Sequence, residues 1–97
     1  MTPATLAASI SKAEPPGELA PTLQALWWAA KGDWECAHKI VQDDDSAEAA
    51  WVHAYLHRVE GDLPNARYWY RTAGKPVETG ALEAEWTAIA AGLLGAA

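Results

Sequence analysis

His53 and His57 stand four residues apart, with Glu60 one turn further on. On a helix this spacing projects both rings from one face. Two imidazoles so placed can bind a metal, but a stable site needs a third and usually a fourth ligand. The zinc-protease arrangement puts a glutamate directly after the first histidine, where this chain has Ala54. The sequence therefore favours hydrogen-bonded histidines packed at a helix interface, with no metal and no cofactor. Cys36 and His38 are two apart, so they point to different faces and lack the reach of a thiolate–imidazole pair. Cys36 reads as a small packing residue. No Gly-rich phosphate loop and no serine nucleophile elbow occur, and Gly74-Lys75-Pro76 is a helix terminator rather than a Walker lysine. Asp43-Asp44-Asp45-Ser46 lacks the glycine turn and spaced oxygen ligands of a calcium loop. It reads instead as a solvated connection with a helix cap. Nothing here predicts an enzyme.

The elements that would position these residues are helices. Residues 49–76 hold two helical patterns on either side of Gly61-Asp62. Leu63, Ala66, Trp69, Tyr70 and Ala73 form one apolar stripe of the second, with Tyr68 off it and more exposed. Gly61 can take the positive φ that ends a helix, and Asp62 can accept from the free N–H groups of the next. Upstream, Thr2-Pro3 opens a short helix carrying Leu6, Ile10 and Ala13, which Pro15-Pro16-Gly17 stops. A second helix is expected over 18–31, with Leu19, Leu23, Leu26, Trp27 and Ala30 inward and Trp28 beside them. After Gly32-Asp33 a third helix turns Trp34, Ala37, Ile40 and Val41 to the core. The last, over 80–94, has Leu82, Trp86, Ile89 and Leu93 on a single stripe, with Glu83 and Glu85 off it. About six helices and no sheet are expected.

Composition agrees. Half of the 97 residues are hydrophobic, much of that alanine and tryptophan, with six Trp and no Phe. Alanine suits close helix packing and tryptophan fills large gaps. The length supports one domain with a modest core. A net charge of −6 repels phosphate, which argues against nucleic acid and anionic membranes as partners. One cysteine excludes an internal disulfide framework and fits a reducing cytosol. No basic stretch leading into an apolar run marks a signal peptide, and no segment approaches the roughly 20 apolar residues of a membrane span. A cytoplasmic protein is expected.

Shifting the chain by 29 residues lays Ala20 on Ala49, Ala25 on Ala54, Gly32-Asp33 on Gly61-Asp62, and Ala37 on Ala66. The core positions Trp34, Ile40 and Val41 fall on Leu63, Trp69 and Tyr70. Duplicated helix–turn–helix units of this kind are the building blocks of helical solenoids. The segments GDWECAHKIV and GDLPNARYWYRTAGKP resemble the second half of tetratricopeptide repeats, with Ala66, Tyr70 and Ala73 at the family's alanine, aromatic and alanine places. Trp51 fits the aromatic near the start of the first helix. The repeat of 29 residues is shorter than the family's roughly 34, and Asp44 stands where a small residue is expected. The pattern is also similar to that of small bacterial single-domain proteins of this type. The resemblance implies an all-α, short right-handed solenoid of about three antiparallel hairpins. It would comprise repeats at about 18–46 and 47–76, a capping helix at about 80–94, and a flanking helix at the N-terminus.

In such a solenoid the first helices of successive repeats line the concave face. They carry Leu19, Thr22, Leu26 and Ala29, then Glu48, Trp51, Val52, Tyr55 and Arg58. Trp, Tyr and Arg dominate binding hot spots, so the expected function is a protein- or peptide-binding module, as a monomer or weak homodimer. The expected contact residues are Thr22, Leu26, Trp51, Val52, Tyr55 and Arg58. Replacing Tyr55 and Arg58 should weaken the partner while leaving the fold intact. The groove lacks the lysine and asparagine clamp with which some family members hold a C-terminal carboxylate. Two alternatives stand beside this: a small-molecule or metal binder using the histidines and tryptophans, and a structural or oligomerising unit. A competing account of the groove has the N-terminal helix filling it through Leu6 and Ile10.

Overall fold

Helix-forming stripes and Gly/Pro breaks leave little room for strands. In the computed structural model, which describes residues 1–95, the chain forms six α-helices, and no strand occurs among the described residues. The helices are α1 (Pro3–Ala8), α2 (Pro21–Lys31), α3 (Trp34–Val41), α4 (Ala47–Glu60), α5 (Leu63–Ala73) and α6 (Leu82–Gly95), with a 3-10 turn at Ser9–Ser11. No helix is long and apolar enough to cross a membrane among the described residues.

Caps set most of the boundaries. Thr2 and Thr5 cap α1 reciprocally, and Ser46 accepts from Ala49 N–H at the start of α4. The acidic run ends in that cap, with Asp44 accepting from Ser46 N–H at 2.9 Å. Two starts differ from expectation. Helix α2 begins at Pro21 and not at residue 18, because a proline disfavours helical backbone in the residue before it. Ala20 is accordingly extended, and Glu18 has a φ of 67°. Leu19 thus lies ahead of the helix, where its carbonyl accepts from Gln24 Nε2 at 2.8 Å. Helix α6 begins at Leu82, two residues later than expected.

The turns at Gly32-Asp33 and Gly61-Asp62 have the same construction. The glycines have φ of 92° and 89°, a conformation that costs an L-residue roughly 1–2 kcal/mol. Each glycine N–H donates to the carbonyl three back, and each following Asp N–H to the one five back. Asp33 then accepts from Cys36 N–H at 3.0 Å and Asp62 from Asn65 N–H at 3.3 Å. Helices α2 and α3 pack extensively on each other, as do α4 and α5, and α3 also touches α4.

Helix α6 lies over α1, α2 and α4. Trp86, Ile89, Ala90 and Leu93 enter one core with Leu23, Leu26 and Trp27 of α2, Val52, Tyr55 and Leu56 of α4, and Leu6. Trp86 Nε1 donates to the Leu26 carbonyl at 2.8 Å. At Gly92 a Cβ would stand 2.8 Å from the Trp51 ring, so glycine is what lets α6 come this close to α4. The radius of gyration, 12.1 Å, is close to the roughly 12–13 Å of a globular chain of this length, so the helices close on one another. Trp27 Nε1 donates to Ser9 Oγ at 2.9 Å, and Lys31 Nζ reaches the carbonyls of Ile10 and Lys12, tying the N-terminal segment to α2.

Candidate functional site

The turn of α4 that carries His53 and His57 faces α3, and α3 turns His38 towards them. His38 Nε2 and His53 Nε2 are 3.0 Å apart, one donating and one accepting, so at most one of the two rings is protonated. His57 completes the group: one ring nitrogen from each of the three lies within 4.8 Å of the others. His53 and His57 are buried, at 4% and 7% exposure, and His38 is half-buried. Trp34 stacks on His38 with centroids 4.7 Å apart, and Trp69 on His53 at 3.9 Å. Trp34 is itself fixed by donating Nε1–H to the Leu56 carbonyl at 2.6 Å.

Two buried ring nitrogens in this cluster have no hydrogen-bond partner, Nδ1 of His53 and Nδ1 of His57. Glu60 Oε2 is 3.4 Å from His57 Nδ1, close enough for an ion pair but without a hydrogen bond. Burial, then the neighbouring His57 and His38, push the His53 imidazole down to about 4. Burial also lowers His38, with His57 adding to the effect. His38 and His53 are therefore neutral at pH 7, the form in which an imidazole ligates a metal. Three imidazoles around one space suit a divalent transition metal. His57, Glu60 and Asp62 form a second, more exposed group of potential ligands.

The spacing of His53 and His57 signals two of these three residues. His38 escapes because its sequence neighbour Cys36 is the obvious partner to weigh it against, whereas its real neighbours lie fifteen and nineteen residues on. The available signal was the hairpin stacking itself, which sets α3 against α4. Cys36 is half-buried, and burial with nearby Asp33 raises its thiol, so it is a poor nucleophile.

The face expected to bind a partner is roofed. Leu26, Val52 and Tyr55 are in the core beneath α6, with Leu26 and Val52 wholly buried. The filling of this face by an N-terminal helix is realised only in part: Leu6 joins the core, but α6 supplies more of the cover. Thr22 and Trp51 remain half-exposed. Trp51 lies under the Lys75 ammonium, 4.2 Å from the ring centroid. Arg58 is committed to α6: Nη1 donates to Glu85 Oε1 at 2.7 Å and Nη2 to the Gly80 carbonyl. Tyr70 donates to the other oxygen of Glu85. Glu85, expected off the buried stripe, is only 4% exposed, because this pairing brings its carboxylate inside. Tyr55 and Arg58 thus have structural contacts, and replacing them should destabilise the fold, not leave it intact.

Beside this network is a cavity of about 320 Å³ lined by Arg58, Leu63, Ala66, Arg67, Tyr70 and Val77, together with Glu78 and Thr79. Leu63 and Val77 are half-exposed, at 51% and 49%. No family model, curated protein or solved structure matches the chain.

Proposed function

We propose that the protein is a non-catalytic interaction module: a short right-handed solenoid of two degenerate tetratricopeptide-like repeats, flanked by α1 and capped by α6. The duplicated Gly-Asp turns, 29 residues apart with matching dihedrals and caps, support the repeat reading. The raised thiol of Cys36 supports the absence of nucleophilic catalysis.

With the concave face roofed, the partner surface moves to the mouth between α5 and the 76–81 segment. The observation that carries this is the pair of exposed apolar side chains, Leu63 and Val77, lining one cavity with Arg67, while the Glu78 carboxylate there is turned onto the N–H groups of Thr79 and Gly80. An exposed apolar pair with an adjacent cation suits an apolar peptide or helix bearing an acidic residue. A photo-crosslinking residue at position 63 or 77 in the source cell should give a discrete protein adduct, which Arg67→Glu abolishes. The same probe at exposed Lys39, on α3, should not give it. Equal labelling from all three positions would refute the assignment.

A further inference from the structure

We infer that His38, His53 and His57 bind one divalent transition metal, zinc or a similar cation, leaving a fourth coordination position to water or a small exogenous ligand. This is independent of the interaction surface just described, which lies on other residues.

Three imidazoles converge on one space, with one ring nitrogen of each within 4.8 Å of the others, and only His38 and His53 are hydrogen-bonded to each other. The His38–His53 hydrogen bond satisfies one nitrogen on each ring. It leaves Nδ1 of His53 and of His57 buried without partners. A buried unpaired nitrogen is unfavourable, whereas leucine or phenylalanine would fill the same volume without that penalty. A third imidazole that makes no hydrogen bond to the other two is unexplained by the pair alone. It is the third ligand that the two-histidine spacing on α4 lacks.

The distances fit modest adjustment. Ligands about 2.0–2.1 Å from a tetrahedral zinc stand about 3.3 Å apart. The His38–His53 pair at 3.0 Å must open by a few tenths of an ångström, and nitrogens up to 4.8 Å apart must draw in. Rotation about side-chain torsions supplies both. His57 would ligate through Nε2 while Nδ1–H turns onto Glu60, now 3.4 Å away, the carboxylate–imidazole–metal relay that orients many metal sites. Trp34 and Trp69, stacked on two of the rings, hold them in place and exclude water. His38, half-buried, is the side from which the ion enters. An all-nitrogen, neutral ligand set favours zinc, copper, nickel or cobalt over magnesium or calcium.

The test uses the full chain without a histidine tag, stripped with chelator and titrated with Zn²⁺ and Co²⁺. Calorimetry should give one ion per chain, and Co²⁺ should produce the visible bands of a low-coordinate nitrogen site. His38→Gln and His57→Gln should each weaken binding at least about tenfold, and Glu60→Gln by about tenfold. Cys36→Ser should leave it unchanged, since that thiol is not among the grouped ligands. Nitrogen-15 spectra of the unmutated protein keep the test independent of whether variants fold: Zn²⁺ should shift a ring nitrogen in all three histidines. Failure to bind one equivalent overturns the site. So does binding in which any of the three rings keeps its metal-free shifts, or binding that Cys36→Ser abolishes.

Discussion

Helix α4 contributes to two buried polar clusters of opposite character. Towards α6 it offers Arg58, whose guanidinium meets Glu85, and that carboxylate also accepts from Tyr70. Towards α3 and α5 it offers His53 and His57, two imidazoles with an unpartnered nitrogen each. The first cluster is charged and has both carboxylate oxygens engaged; the second is largely neutral and under-satisfied. A charge can be buried only when paired, so the first works as a latch holding α6 over α4. A largely neutral cluster tolerates burial better than an unpaired charge, and the convergence of its three ring nitrogens keeps capacity for a ligand. One helix thus separates what holds the fold from what is open to chemistry.

The largest effect should come from breaking the latch. Arg58→Ala leaves Glu85 charged and buried, which costs about 3–5 kcal/mol. Urea unfolding should show a large drop in midpoint, and hydrogen exchange should show α6 losing protection first. Converting Arg58 and Glu85 together to Met and Leu, with Tyr70→Phe to remove the hydroxyl that would lose its acceptor, should recover most of that loss, because the uncompensated charge goes with its partners. If the single and triple variants are equally unstable, the latch is packing and not electrostatics.

The histidine cluster should respond to acid instead. In metal-free protein, His53 stays neutral to about 4 when folded, whereas unfolded histidine takes up its proton near 6.5. The unfolded chain therefore binds more protons between these values, and stability falls as pH drops from about 6.5 towards 4. The loss should be on the order of 3 kcal/mol, counting about 1.4 kcal/mol per pKa unit. Stability should be flat with respect to this group above pH 7. Replacing His53 with Phe should remove its share of the slope and leave the share of His38, which burial also lowers, and equilibrium unfolding across the pH range reads both outcomes.

A smaller change separates packing from polarity in the same cluster. His38→Phe with His53→Phe removes both partners of one hydrogen bond and replaces them with rings of similar shape. Such paired replacements are nearly neutral, so the net change should be within about 1 kcal/mol. A loss several times larger would mean that the His38–His53 bond is itself a main support of the α3–α4 contact.

Local signals explain how much of this was legible. Gly32-Asp33 and Gly61-Asp62 announce their turns because only a narrow set of residues takes positive φ and then caps a helix. The apolar stripes announced α3 to α6, and Tyr68 emerged exposed and Tyr70 buried as the helical wheel requires. What escaped depends on contacts between distant segments. Periodicity gives each helix an inner face but does not say which neighbour covers it. Trp51, Val52 and Tyr55 therefore read equally well as an open groove or as the seat of α6. Glu85 read as a surface residue because its burial depends on Arg58 and Tyr70, fifteen or more residues away. His38 was illegible for the same reason.

The smallest effect belongs to Glu60, one of two carboxylates that face side chains of α4. Glu85 and Glu60 each stand within ion-pair distance of an α4 side chain, at 2.7 Å from Arg58 and 3.4 Å from His57. Contact distance alone would rank them as similar. Exposure separates them, since the Glu85 side chain is 3% accessible and that of Glu60 is 39%. Water screens an exposed pair, and immobilising two side chains offsets what attraction remains, so such contacts contribute about 0–1 kcal/mol. Glu60→Gln should accordingly change the unfolding free energy of the metal-free protein by less than about 0.5 kcal/mol. Its amide retains the shape and leaves the helix terminus intact. With Zn²⁺ present the same substitution should lower stability more, because the bound ion makes the orientation of His57 matter and binding to the folded state stabilises it in proportion to affinity. Chemical denaturation of parent and variant, with chelator and with Zn²⁺, reads the difference directly. An equal effect in both conditions would assign Glu60 to the surface and remove it from the histidine cluster.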